Sequence, residues 1–452
     1  MLTALKDVLH DILPWVMYLS IFFVIVAAGI KRAQWGLLLL IVLIPLPNIW
    51  YKVHELPLGT ETMDLVLLAT MIGAHINNGG FERPPRAFLI GSYIFMMYVA
   101  VWNSSLRFHL PIPVTTANDV LADFKNYVEM LMLYFITYNA LKTEKDQQTA
   151  VTLIAAVTLF IAVRELRNFD SGSSFNYAQR AAGPFWIVGL GANHFGAYIA
   201  YVGAFITGLL LVDNDWRRKW LYAGTVLALV YPLFDTYSRG AYAAVIAAMG
   251  VFGVLRKRLI LVGIGVLAFT WTTVLPTAVV DRILMTETPA GQIEESAALR
   301  LVLWDRAQEL FAQNPIFGIG YHGFAISVRI AGLNNTHNYY LQTACEQGVI
   351  GLLFLALLIF AAGSSGWRLY RTGASNFQRG MGLGFIGAVA AMAVSNVFGD
   401  RWSYFALGSY FWIFWGLVDR ALTSSATVRA AASAVAPAAP AKAEAASRRA
   451  NA

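Results

Sequence analysis

Runs of apolar residues, each about as long as a helix needs to cross ~30 Å of hydrocarbon, alternate with short polar connections along most of this chain. Thirteen such runs predict membrane helices, near residues 12–30, 34–50, 60–76, 86–103, 119–141, 148–164, 190–212, 219–236, 240–255, 259–279, 348–364, 380–398 and 402–419. The first also fits a partly interfacial helix, so the pattern gives twelve or thirteen spans. No soluble core has room for so many apolar blocks. The expected fold class is all-α, a polytopic membrane protein. The pattern lapses over residues 165–189 and 280–347, and again after residue 423.

Composition agrees: 58% of the 452 residues are hydrophobic and 13% charged, against about a quarter charged in soluble domains. The net charge of +7 would suggest nucleic acid in a soluble protein. Here the basic residues sit mostly in short connections, so no nucleic-acid partner is expected. One set of connections holds Lys31 and Arg32, Arg83 and Arg86, Lys142 and Lys145, Arg217 to Lys219, Arg256 to Arg258, and Arg368, Arg371 and Arg379. Positive residues stay on the cytoplasmic side, which sends residues 165–189 and 280–347 to the other, periplasmic face of an inner membrane. The chain then divides into residues 1–279 (ten spans), 280–347 (a large periplasmic loop), 348–423 (three spans) and 424–452. The last part is rich in alanine, proline and basic residues and is expected to be a disordered cytoplasmic extension. The single Cys345 excludes an intramolecular disulfide and a cysteine-based metal cage. The start of the chain runs into the first span with no sign of a cleavable leader. No internal repeat of the kind found in paired transporter halves stands out.

Residues 280–347 are the only loop large enough to fold over the membrane surface. After an acidic opening (Glu287, Glu294, Glu295), Ser296 is a candidate cap for a helix over Ala297–Gln313, which Asn314-Pro315 ends. Arg300, Trp304, Ala307 and Phe311 share one face of it. A glycine-rich turn, Phe317 to Gly323, holds His322, a candidate structural or substrate-contacting residue. A second helix is expected to begin near Thr336-His337-Asn338 and run to Gly348. His337 would lie in its first turn, where the positive end of the helix dipole disfavours imidazolium. A ring kept neutral near pH 7 is what a general base requires. Arg180 ends the shorter loop, just before a span containing Asn193. Arg239 occupies a connection so tight that its guanidinium must stay at the membrane face, a costly place without an anionic partner. A diphosphate matches the guanidinium fork. Arginines that hold a diphosphate leaving group and a histidine that takes a hydroxyl proton are sufficient for a single displacement at a sugar carbon. Such a displacement inverts the anomeric configuration and needs neither nucleotide nor metal.

At these residues the chain resembles a known family. The series Arg300, Trp304, Asn314-Pro315-Ile316-Phe317-Gly318-Ile319-Gly320, followed by His337-Asn338-Tyr339-Tyr340-Leu341-Gln342 and Glu346-Gln347-Gly348, is similar to the O-antigen ligase and O-antigen polymerase superfamily. Arg180 with Asn193, and Ser238-Arg239-Gly240, fall where that family carries its other periplasmic motifs. The resemblance covers roughly residues 170–420. It implies a metal-independent, cofactor-free membrane glycosyltransferase using undecaprenyl-diphosphate glycans as donors and a glycan or lipid A core as acceptor. Membrane lipid and a chain-length regulator are further implied partners. By this analogy His337 is the base and Arg180 and Arg239 bind diphosphate, with Arg300, His322 and Asn338 as candidate substrate contacts. Polymerase and ligase share these motifs and stand even.

Each signal has a plainer reading. His337 as a helix cap, Arg239 as a side chain reaching lipid phosphate and Arg300 with Trp304 as helix packing are the chief ones. Lys125 and Glu129, four apart in one span, read as a buried structural pair, although a transporter's proton path would look similar, and Asp213-Asn214-Asp215 reads as a solvated loop. The rival class is a flippase or secondary transporter of lipid-linked glycan, which would place functional charges near the bilayer midplane. The charges here gather at one face.

Overall fold

The computed structural model describes residues 2–115, 117–167, 180–285, 295–328, 330 and 335–435. These are helical, with no strand among the described residues. In chain order the helices are α1 (Leu2–Ile30), α2 (Ala33–Leu43), α3 (Pro47–Trp50), α4 (Thr62–Asn78), α5 (Ala87–Arg107), α6 (Asp119–Ala140), α7 (Glu144–Arg167), α8 (Ala192–Val212) and α9 (Trp216–Asp235). Then follow α10 (Arg239–Leu255), α11 (Leu259–Val274), α12 (Thr277–Leu284), α13 (Glu295–Gln313), α14 (Gly323–Ser327), α15 (Tyr339–Thr372), α16 (Asn376–Ser395) and α17 (Phe405–Val435).

A helix stands at each of the thirteen expected spans, with two corrections of shape. The run at 34–50 is broken, α2 meeting the Pro47–Val53 segment at 103°. Pro45 and Pro47 supply the break, since neither ring can continue a helix. The run at 259–279 likewise ends at Val274, and α12 turns away at 104° after Pro276. Length and hydropathy alone qualify six helices as spans, or eight counting each bent pair as one. The other five fall short for visible reasons: α4 and α10 hold 17 residues each, α6 carries Asp123, Lys125 and Glu129, α9 opens on Arg217-Arg218-Lys219, and α17 carries Asp419 and Arg420. Large apolar side chains point outward around the bundle, with Phe269 at 91% exposure. That is how a lipid-facing surface differs from a water-facing one.

At the centre, α8, α16 and α17 pack around buried aromatic rings. Phe205 and Phe414 stack at 3.9 Å between centroids, and Trp412 and Trp415 are fully buried. Small residues let these helices approach closely: a Cβ on Gly208 would lie 2.1 Å from the Gly384 nitrogen. One boundary differs from the sequence reading. Helix α17 continues to Val435, past the expected end of order near residue 424, because its alanine-rich continuation has high helix propensity. Residues 436–452 lie outside the described ones, as does most of the acidic run Glu287–Glu295. The Lys125–Glu129 pair is not buried, since Lys125 lies 53% exposed and also bonds Asp64. Asp213 is also not solvated. It is buried and holds Arg218 through two hydrogen bonds of 2.7 and 3.0 Å, while Asp215 caps α9.

Candidate active site

The site is built where a glycine turn meets a break in a helix. Gly348 interrupts α15 with φ 66 and ψ −162, which frees backbone groups on both sides of it. The Pro315–Gly320 segment satisfies them in register. Ile319 and Gly320 donate to the carbonyls of Cys345 and Glu346, both at 2.8 Å, and Val349 donates to that of Pro315 at 2.8 Å. Only glycine permits such closeness: a Cβ on Gly318 would lie 2.3 Å from the Glu346 carbonyl carbon, and one on Gly320 2.3 Å from the Ser104 nitrogen. The same segment is pinned to α5, since Tyr321 donates to the Ala100 carbonyl at 3.0 Å. Above it α13 lies on a small core of Leu303, Ala307, Leu310, Ile319, Phe324, Val328 and Cys345. The buried face is thus centred on Leu303, Ala307 and Leu310, with Arg300, Trp304 and Phe311 on its flank.

His337 sits outside the helix it was expected to begin. Asn338 is the N-cap of α15, and its side-chain oxygen accepts from Tyr340 and Leu341 at 3.0 and 3.2 Å. That oxygen is committed to capping, so any substrate contact by Asn338 falls to its amide nitrogen. His337 precedes the cap with φ 51, in the left-handed region. Its backbone N–H is taken by Asn335 Oδ1 at 3.0 Å, and Trp304 Nε1 donates to the neighbouring Thr336 carbonyl at 2.9 Å. Burial, then the nearby charges of Arg300 and Arg401, lower its pKa from 6.5 to about 4. Burial and these two charges hold the ring neutral.

Arg401, which the sequence reading did not single out, is the hub of the site. It lies in the turn between α16 and α17, 5% exposed, and its backbone N–H donates to Asn396 Oδ1 at 2.8 Å. Burial lowers its pKa to about 10, the Asp400 charge opposes this, and Arg300 and Arg180 add to it. The guanidinium remains charged at neutral pH. Arg180, Arg300 and His337 therefore lie within electrostatic reach of one buried arginine. Arg180 is fixed by donating to the Thr236 carbonyl at 2.8 Å and to Asn193 Oδ1 at 2.7 Å. Arg239 is the first residue of α10, three positions after Thr236, and the Gly240 beside it packs against Phe398 at the foot of the Arg401 turn. His194, next to Asn193, faces the Tyr404 ring edge-on at 5.0 Å.

His322 belongs to another place. Its Nδ1 lies 3.1 Å from Asp123 Oδ2. Burial works against its charge, but the bond to Asp123, with Glu346 and Asp400 nearby, outweighs that and raises its pKa. An apolar groove of about 920 Å³ between α5 and α15 includes none of these residues, its polar lining being Arg83, Ser92, Asn103 and Gln347.

The arrangement puts guanidinium charges suited to a diphosphate beside a neutral histidine suited to proton transfer. Comparison with curated proteins finds no match. The family model described as O-antigen ligase matches residues 224–356, a stretch that includes Arg239, Arg300, His322, His337 and Asn338 but neither Arg180 nor Arg401. Over that stretch the chain is similar to the O-antigen ligase family, in line with its resemblance to the O-antigen ligase and O-antigen polymerase superfamily.

Proposed function

We propose that this protein transfers a glycan from an undecaprenyl-diphosphate donor to a sugar hydroxyl at the periplasmic face of the inner membrane, without a metal and with inversion. The observation that carries the reading is that Arg180, Arg300 and His337 lie within electrostatic reach of Arg401 at the end of the bundle that bears the large loop. In the step, the acceptor O–H gives its proton to a His337 ring nitrogen as its oxygen bonds to the anomeric carbon. The bond from that carbon to the diphosphate oxygen breaks, and its electron pair leaves with the diphosphate. Fixed guanidinium charges stabilise that departure without reorganising. Arg180, Arg239 and Arg401 serve as the diphosphate ligands, and Arg300, within electrostatic reach of both Arg401 and His337, links the diphosphate to the base.

The donor itself completes the base. A diphosphate bound at Arg300 and Arg401 offsets the charges that depress His337, so its basicity rises when donor is present.

The test uses purified protein, lipid-linked repeat units and a metal chelator, with and without lipid A core, beside His337→Ala. A ladder from repeat units alone identifies a polymerase, and product only with lipid A core identifies a ligase. A folded His337→Ala variant with full activity would sink the mechanism.

A further inference from the structure

The Asp400–Tyr404 turn serves two neighbours. Arg401 faces the arginine cluster, while Ser403 and Tyr404 line a cavity of about 390 Å³ that includes none of Arg180, Arg300, Arg401 or His337. This is of small-ligand size. Its walls combine two kinds of group. Trp50, Tyr321 and Tyr404 offer aromatic surface, and Asp64, Asp123 and Glu129 offer carboxylate oxygens.

The carboxylates are held in place without being used up. Lys125 bridges Asp64 and Glu129, the latter at 3.0 Å, and His322 holds Asp123. A carboxylate accepts about four hydrogen bonds, so lone pairs remain for a ligand rich in hydroxyl donors. The aromatic wall is held in place independently of the carboxylates: Trp50 packs on Tyr51 and His54, with ring centroids at 4.7 and 5.0 Å.

We propose that this cavity is the acceptor subsite and takes a neutral or amino sugar, excluding phosphorylated and uronate sugars. The proposal rests on the transfer reading above. A sugar ring stacks its C–H face on an aromatic wall and gives its hydroxyl protons to carboxylates, and this cavity supplies both. Three carboxylates against Lys125 and His322 leave the wall negative, which repels an anionic ring. The Tyr404 ring that closes it is the one packed on His194 at 5.0 Å, and His194 lies within electrostatic reach of His337 and Arg401. One turn of chain thus separates two fields. The positive side collects the donor diphosphate and the negative side collects an uncharged sugar terminus, so donor and acceptor are sorted by charge.

The experiment measures binding of three free trisaccharides to the purified wild-type protein by saturation-transfer NMR: chitotriose, its de-acetylated amine form, and trigalacturonate. The first two should bind, and trigalacturonate should bind at least about tenfold more weakly. Asp123→Asn should narrow that ratio, and Trp50→Phe should weaken the neutral sugar while leaving the ratio unchanged. The Trp50→Phe result keeps the test decisive where Asp123→Asn disturbs folding. Equal binding of all three, no binding of any, or binding untouched by a folded variant of either kind would overturn the proposal. Free sugars bind without transfer, so absence of product in the transfer assay counts against the transfer reading and leaves this measurement separate.

Discussion

Trp304 Nε1 donates to the carbonyl oxygen of Thr336 at 2.9 Å, fastening α13 to the residue immediately before His337. The bond spans 32 residues of chain and sets where the proposed base stands relative to Arg300, one turn along α13. Trp304→Phe keeps a ring and removes the donor, at a cost of about 0.5–1.5 kcal/mol. Trp304 is a positioning residue, so kcat should fall several-fold with the KM for donor little changed. A rise in KM with constant kcat would assign it to binding instead.

His337→Ala should reduce transfer by about 100- to 10,000-fold, the usual range for a positioned general base. Its elution from a sizing column and its unfolding temperature should match wild type, because the half-buried ring caps nothing.

Arg401 is predicted to matter as a fork, not only as a charge. Arg401→Lys keeps the charge but loses the planar pair of donors. The lost charge-assisted bonding is worth about 1.5–3 kcal/mol, or roughly 10- to 100-fold in kcat/KM for donor. Full activity in the lysine variant would reduce Arg401 to a structural role.

The pH profile follows from the lowered pKa of His337. A protonated ring cannot accept a proton, so activity is lost as pH falls through the pKa and is retained above it. For kcat/KM, which reports free enzyme, the acid limb should lie near 4. For kcat, which reports the donor complex, it should lie higher, because bound diphosphate offsets Arg300 and Arg401. Arg300→Gln should move the kcat/KM limb upward, toward the kcat limb. Coincident limbs in wild type would refute the electrostatic link between donor and base.

Gly318→Ala tests the joint between loop and span. With φ +65 and a Cβ 2.3 Å from a carbonyl carbon, the substitution should cost at least about 1–3 kcal/mol. It should lower the unfolding temperature in detergent, whereas Gly263→Ala, in open space on α11, should not.

The helices were legible because apolar length and proline position act locally, and so was the end of the second loop helix at Gly348, whereas the docking of the Pro315–Gly320 segment on that break joins parts of the chain that only the fold brings together. Arg401 was hidden by brevity. Three residues between two apolar runs look like a mere connection, and Asp400 beside it suggests a local pair. Yet the argument applied to Arg239, a guanidinium trapped in a tight turn, applies equally to Arg401. The state of His337 was expected for a partial reason. A sequence displays the helix that follows the histidine, but Arg300 and Arg401, 37 and 64 positions away, meet it only through the fold. Asp213 was misread similarly, since its burial depends on how α8 and α9 pack.

The interlock of α8 with α16 has a mechanical meaning. A Cβ on Gly384 would fall 2.2 Å from the Phe205 carbonyl oxygen, just as one on Gly208 would strike Gly384. Backbones meshed this tightly behave as a welded seam, leaving no slack for the two helices to slide or hinge past one another. A carrier that exposes its cargo alternately to each side needs a moving joint through its middle. In this bundle α8 and α16 are instead meshed into one body, so any such joint would have to run between other helices.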